Sequence, residues 1–356
     1  MLIFFLILPF LFLSCSETNS TLTSTKLAPP SNNQIYFGAF PDFGGNEENI
    51  SIETIQKFET LAQKKIVWAC FSNNWWHGIT YPKTRIHTIS ASGVIPYVRL
   101  MPRSDDISNH TEQTFTLQKI IDGVFDESLK QWAKDAKSDG INLLVDFALE
   151  MNGDWFPWSG IFNGGSITTD YGDPLLADGP ERYRDAYRHI ITIFRELQVD
   201  NITWIFHYNY GTIPYEDWNK PANYYPGDSY IDWVGFSLYG AQTTNEVWDE
   251  LAFSTILEDY IDDFCEINTT KPIALLEFGV TDNHPNGKKS VWLDDAFKTI
   301  LSNPYIKFQA INPWHENWQN EDETWSRLRL DSSTEVEQTF KNWIKNERFI
   351  SYPSKE

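Results

Sequence analysis

Two glutamates in this chain stand where side chains do chemistry. Glu150 closes the apolar run Asn142-Leu-Leu-Val-Asp-Phe-Ala-Leu149 and opens the segment Met151-Asn-Gly-Asp-Trp155-Phe-Pro-Trp158-Ser-Gly160. Glu277 closes Pro272-Ile-Ala-Leu-Leu276 and precedes Phe278-Gly279. A carboxylate at the end of a buried strand is poorly explained by packing alone. Two of them, on separate strands, are what hydrolysis of a glycosidic bond requires, one as proton donor and one as nucleophile. The tryptophans that follow Glu150 offer flat apolar faces on which a sugar ring stacks. The expected chemistry is cleavage of a polysaccharide.

Such side chains need a scaffold that brings distant segments together. From residue 34 onward, short β-branched and aromatic runs alternate with helical patterns. The runs are 34–40, 66–72, 94–100, 142–149, 202–209, 232–239, 272–277 and 308–314. They are nearly continuous apolar segments, the mark of parallel strands covered on both faces. Amphipathic stretches at 50–64, 127–138, 180–197, 246–266, 288–301 and 334–347 lie between them, with a weaker one around 83–91. The pattern predicts an α/β fold, a single-domain (β/α)8 TIM barrel, although Pro96 sits inside the third run. Active sites of this fold lie at the C-terminal ends of the strands. Glu150 would end strand four, Tyr239 strand six, Glu277 strand seven and Trp314 strand eight, so all four converge on one rim.

These strand ends also carry a family resemblance. Leu149-Glu150-Met-Asn-Gly-Asp-Trp155-Phe-Pro-Trp-Ser-Gly resembles the strand-four signature of glycoside hydrolase family 26, the β-mannanases and their relatives. Tyr230-Ile-Asp-Trp-Val-Gly-Phe-Ser-Leu-Tyr239 is similar to its strand-six segment, Lys271-Pro-Ile-Ala-Leu-Leu-Glu277-Phe-Gly to its nucleophile strand, and Asn223-Tyr-Tyr-Pro-Gly-Asp228 to the loop before strand six. The resemblance implies a retaining mechanism with Glu150 as acid/base and Glu277 as nucleophile. It also implies that Tyr239 hydrogen-bonds the nucleophile, that Trp314 underlies the sugar being cleaved and that Trp155 lines the aglycone side. The two carboxyl groups of a retaining enzyme stand about 5 to 5.5 Å apart. Two positions depart from the family pattern: Leu149 replaces a usual histidine, and Gly235-Phe-Ser237 replaces Gly-Ile-Asp. Leu149 makes the surroundings of Glu150 more apolar, which disfavours its charged form and suits an acid.

Other residues have two readings. Asn73-Asn-Trp75-Trp76-His77 follows strand two; Trp76 and His77 could build a glycone subsite or pack their own loop. Arg99, near the end of strand three, could orient a glutamate or form an ion pair without a catalytic role. Asn152 could meet a sugar hydroxyl or brace a turn, and His207 and Asn209 could face the rim or satisfy backbone groups. His315-Glu316-Asn317-Trp318 lacks the second histidine of a zinc motif, so it is read as a loop with Trp318 as a sugar contact. The sequence contains no phosphate loop, dinucleotide fingerprint or metal-ligand cluster, so no cofactor and no metal are expected.

Charge narrows the partners. A formal net charge of −21 over 356 residues argues against nucleic acid, an anionic membrane surface or a strongly acidic glycan. A neutral polysaccharide or oligosaccharide fits, and 15 tryptophans suit a sugar cleft even if most pack in the core. Residues 1–14 resemble a signal peptide of lipoprotein type, and Leu13-Ser14-Cys15 resembles a bacterial lipobox with Phe12 in place of leucine. Residues 15–33 read as a Ser/Thr/Asn/Pro-rich flexible tether and 34–350 as the catalytic domain. Export is expected, with lipid anchoring at Cys15 in the cell envelope, or else secretion; membrane contact would come only through that anchor. Cys70 and Cys265 are expected to be buried thiols, and the protein a monomer. β-1,4-Mannan is the leading substrate. The alternatives are a β-1,3-1,4-glucanase or a xylanase with the same carboxylate roles, or a glycan-binding lipoprotein with impaired catalysis.

Overall fold

The structure, a computed structural model, describes residues 26–105, 112–246, 252–320 and 322–351. The expected signal peptide and Cys15 lie outside the described residues. Eight parallel strands form the core: β1 Ile35–Phe37, β2 Trp68–Asn74, β3 Ile95–Met101, β4 Leu143–Phe147, β5 Ile202–Asn209, β6 Trp233–Tyr239, β7 Ile273–Gly279 and β8 Phe308–His315. Their order is that of the sequence, with β1 beside β8. Phe37 accepts from the Val67 amide at 2.7 Å, and Ala39 donates to Trp68 at 3.1 Å, so the chain just past β1 meets β2 and closes the ring. Every residue of β7 is buried, as a strand covered by helices outside and side chains inside must be. Pro96 is accommodated within β3, opposite Ala69.

Ten helices are described: α1 Ile52–Ala62, α2 Lys83–Ala91, α3 Leu117–Ile121, α4 Asp126–Asp139, α5 Asp178–Glu196, α6 Pro221–Tyr224, α7 Phe253–Asp259, α8 Ile261–Glu266, α9 Lys289–Ser302 and α10 Thr334–Ile344. Local signals set their limits. Ser51 caps α1 by accepting the Thr54 amide, Ser333 caps α10 through Val336, and Gly140 ends α4 at φ +65°. Residues 247–251 of the predicted helix over 246–266 lie outside the described residues, and its remainder forms two short helices broken at Tyr260. Helix α5 matters most for the site. Its Tyr183 hydroxyl donates to Phe147 O at 3.0 Å and its Tyr187 hydroxyl to Ile205 O at 2.6 Å, pinning β4 and β5 from outside.

The end of the predicted tether has partners in the barrel. Lys26 Nζ lies 2.8 Å from Asp232, and the Leu27 amide donates to Thr203 Oγ1 at 2.8 Å. Both contacts fall at the N-terminal ends of β5 and β6, opposite the rim that carries Tyr239 and Glu277. Cys70 is buried in β2 as expected. Cys265 corrects the expectation: it faces outward on the short helix α8 and is exposed. Both are free thiols.

Candidate active site

Glu277 sits within β7 and is buried among groups that hold both of its oxygens. Arg99 Nη1, from β3, donates to Oε1 at 2.8 Å, and the Tyr239 hydroxyl, from β6, donates to Oε2 at 2.9 Å. Arg99 is itself fixed: Nη2 donates to Ser72 Oγ at 2.7 Å and to Glu47 Oε1 at 3.1 Å. Glu47 lies in the loop after β1 and also accepts the Ser72 amide with both oxygens, at 2.8 and 2.7 Å. A buried charge is tolerated when paired and hydrogen-bonded, and here one guanidinium serves two carboxylates. Burial first, and then the Glu277 charge, keep the Tyr239 phenol well above its ordinary range, so it stays a donor.

Glu150 is held differently. Strand β4 ends at Phe147, two residues short of the predicted run's end at Leu149, and Ala148 and Glu150 both take left-handed backbone angles, φ +51° and +55°. The carboxyl is thus carried on a tight turn past the strand, anchored by the Glu150 amide donating to His207 O at 2.9 Å. Trp155 Nε1 donates to Glu150 Oε2 at 2.8 Å. Gly153 makes that approach possible, since a β-carbon there would stand 2.5 Å from the Trp155 ring. Burial, then the neighbouring Glu277 charge, raise the Glu150 pKa; His207, Ser237 and Trp155 oppose the rise. Its environment favours the proton-bearing form, as an acid requires.

Both glutamates line one cavity of about 590 Å³. Arg99, Leu149, Trp155, Ser237, Tyr239, Trp314 and Trp318 share it. Trp314 is backed by Phe40, the rings stacked 3.9 Å apart, and the Arg99 guanidinium lies 4.9 Å from the indole centroid. One side of the cavity escaped the sequence reading: Phe156, Tyr210, Ile213, Ile256 and Tyr260 form an apolar wall, with Gln242 and Glu246 as polar neighbours. Their signal was diluted because aromatic residues are abundant everywhere in this chain.

Not every candidate residue arrives here. Asn152 is fully buried behind the cavity, where its amide nitrogen donates to Asn209 O at 2.7 Å and its oxygen accepts the Asn209 amide at 2.9 Å. It braces the β4 and β5 loops. Trp76 and His77 are not among the lining residues; Trp76 lies under the Arg103 guanidinium, 5.6 Å away, and His77 is exposed. His315 is buried and accepts the Leu330 amide at 2.9 Å. Glu316, next to it, is pushed up to about 8 by burial and then by Asp42 and Glu47, so it is largely protonated at neutral pH.

With this geometry in place, the chain can be set beside known proteins. The glycosyl hydrolase family 26 model matches residues 61–258, more than half of the chain. The chain belongs to glycosyl hydrolase family 26. The matched span of this family 26 protein contains Glu150 and Tyr239, while Glu277 and Trp314 lie beyond it. The chain is 28% identical over 218 residues to Endoglucanase H of Acetivibrio thermocellus, covering 61% of this chain and 22% of that protein. It is 28% identical over 201 residues to a mannan endo-1,4-beta-mannosidase of Bacillus subtilis, covering 56% of this chain and 44% of that one. The matches therefore span less than half the length of either relative. Among solved structures, a beta-mannanase from a symbiotic protist of the termite Reticulitermes speratus superposes with a TM-score of 0.57 at 14% identity, over 92% of this chain and 96% of that one. A modular endo-beta-1,4-mannanase from Cellulomonas fimi gives 0.59 at 17% identity, over 89% and 72%. These structural likenesses support the barrel fold.

Proposed function

We propose that this chain is a retaining endo-β-glycanase acting on a neutral polysaccharide, with β-1,4-mannan as the first candidate. The observation that carries the reading is the pairing of two unlike glutamates in one aromatic-lined cavity. Glu277 is clamped through both oxygens, and Glu150 is biased towards its protonated form. Glu277 attacks the anomeric carbon, and Glu150 gives its proton to the departing oxygen. A glycosyl ester on Glu277 results; Glu150, now a carboxylate, takes a proton from water, which attacks the ester and releases the sugar. Trp314, Trp155 and Trp318 supply apolar faces for the flanking sugar rings. Arg99 orients the nucleophile through its bond to Oε1.

Mixed-linkage β-glucan is a second reading, favoured by the likeness to Endoglucanase H and by Leu149, which lines the cavity where mannanases of this resemblance carry an imidazole. Residues 26–351 incubated with β-mannan, glucomannan, mixed-linkage β-glucan and xylan should release oligosaccharides from one polymer, and Glu277→Ala should abolish the release. No product from any of the four, with one polymer retained on an affinity gel, would instead identify a binding protein. We also propose export with lipid attachment at Cys15; metabolic labelling with a fatty acid, lost in Cys15→Ala, tests it.

A further inference from the structure

A buried hydrogen-bonded line of side chains runs across four consecutive strands and ends at Ser237, in the cavity that Glu150 also lines. The Tyr97 hydroxyl, on β3, donates to Asp146 Oδ2, on β4, at 2.6 Å. The same oxygen lies 2.9 Å from His207 Nδ1, on β5. His207 Nε2 lies 2.8 Å from Ser237 Oγ, on β6, and Ser237 lines the same cavity as Glu150, where its hydroxyl favours the ionised carboxyl. All four side chains beyond Glu150 are essentially inaccessible to water. A carboxylate and an imidazole are expensive occupants of such a place, and apolar residues of similar volume would pack there without the desolvation cost. Pairing between β6 and β7 shifts beside the last member: Phe236 pairs with Leu275 and Ser237 with Glu277, so the extra residue, Leu276, lies on β7 and Ser237 stands directly opposite Glu277.

We propose that Asp146, His207 and Ser237 are positioning residues that deliver a hydrogen bond to Glu150 in its base form. The inference rests on the acid/base reading of Glu150. With Asp146 accepting from Nδ1, His207 donates from Nε2 to Ser237 Oγ, and Ser237 donates its own proton to the Glu150 carboxylate. The last two donors in the line then point towards the charge that Glu150 acquires after protonating the departing oxygen, while Asp146 holds His207 from behind. No proton need travel along it: the leaving group takes the Glu150 proton, and water later restores it. The ionisable groups that face the line are Cys70 on β2, Arg99 on β3, Tyr183 and Tyr187 on α5, Tyr239 on β6 and Glu277 on β7. Of these, Glu277 opposes the ionisation of Glu150, and burial does so more strongly. Without the line, Glu150 would act as an acid but be a reluctant base.

The test compares His207→Gln and Ser237→Ala with the intact protein on the polysaccharide it cleaves and on 2,4-dinitrophenyl β-mannobioside, or the β-cellobioside if glucan is the substrate. Dinitrophenolate leaves without protonation, so its burst reports ester formation alone. Both variants should keep that burst while steady-state kcat falls roughly tenfold or more, because the base step slows. The alkaline limb of kcat/KM should move up by about one pH unit, since Glu150 keeps its proton to higher pH. Ser237→Ala, which deletes one oxygen, carries the test if His207→Gln fails to fold. An alkaline limb at the wild-type position in the folded variants would reduce the line to packing. Glu150→Ala with added azide is the separate control. Glycosyl azide formation with restored turnover confirms the acid/base reading, and full unassisted activity overturns it irrespective of the line.

Discussion

The two glutamates occupy one cavity yet are built in opposite ways. Glu277 is part of a strand, its backbone is regular, and both oxygens accept from side chains on neighbouring strands. Glu150 stands beyond the end of its strand on a left-handed turn and is bonded by an indole, with the Ser237 hydroxyl in the same cavity. A nucleophile has one job, to present a charged oxygen along one line of approach, and a strand with two donors serves that. An acid/base residue must exist in two protonation states within each cycle, and its surroundings have to serve both. Rigidity and charge pairing belong to one end of the cleft, apolar burial and adjustable polar partners to the other.

Mutation at the nucleophile end should produce the larger loss. Glu277→Ala is expected to reduce kcat by roughly 10⁴- to 10⁶-fold, as removal of a covalent nucleophile does elsewhere, with azide giving no retained-configuration product. Glu150→Gln should cost roughly 10²- to 10⁴-fold on polysaccharide but far less on a dinitrophenyl glycoside in the ester-forming step. Equal losses on both substrates would erase the distinction between the ends.

Stability sharpens it further. Arg99→Met leaves Glu47 and Glu277 buried and facing each other without a cation, and denaturant unfolding should show a loss of about 3–5 kcal/mol. Glu150→Gln should have the opposite sign. Burial raises the folded-state pKa of Glu150 above its unfolded value, so its stability contribution is complete at low pH and is lost as pH rises through the folded value. The variant's melting temperature should therefore match wild type near pH 4 and exceed it by on the order of 1–2 °C near pH 8. A variant less stable than wild type at both would contradict the account. The smallest effect is expected from Tyr239→Phe, which leaves Arg99 on the other oxygen of Glu277: a drop in kcat of about tenfold, with little change in unfolding free energy.

Much of this was readable along the chain. The eight apolar runs became the eight strands because a parallel strand buried on both faces has no polar alternation to confuse it. Glu150 and Glu277 stood out because each interrupts such a run at its end. Tyr239, Trp314 and Trp155 reached the cavity for the same reason of position. Asn152 did not: its amide satisfies the backbone of the next loop, and nothing in Met151-Asn-Gly distinguishes a brace from a sugar contact. Glu47 gave no signal at all, lying in a loop 52 residues before the arginine it holds. His207 was visible as a polar residue in an apolar strand, but its partners Asp146 and Ser237 are 61 residues before it and 30 after.

The sequence by itself determined which segments are strands, which end of each carries polar side chains, and therefore that two carboxylates would share one rim. Those are consequences of local periodicity and of a fold whose strand ends all point the same way. Only the tertiary structure decided how the two carboxylates differ. Whether a glutamate meets a guanidinium, an indole or a hydroxyl depends on the register between strands far apart in sequence, and on how deeply closure of the barrel buries it. Desolvation and pairing, not residue type, leave one glutamate clamped through both oxygens and bias the other towards its protonated form.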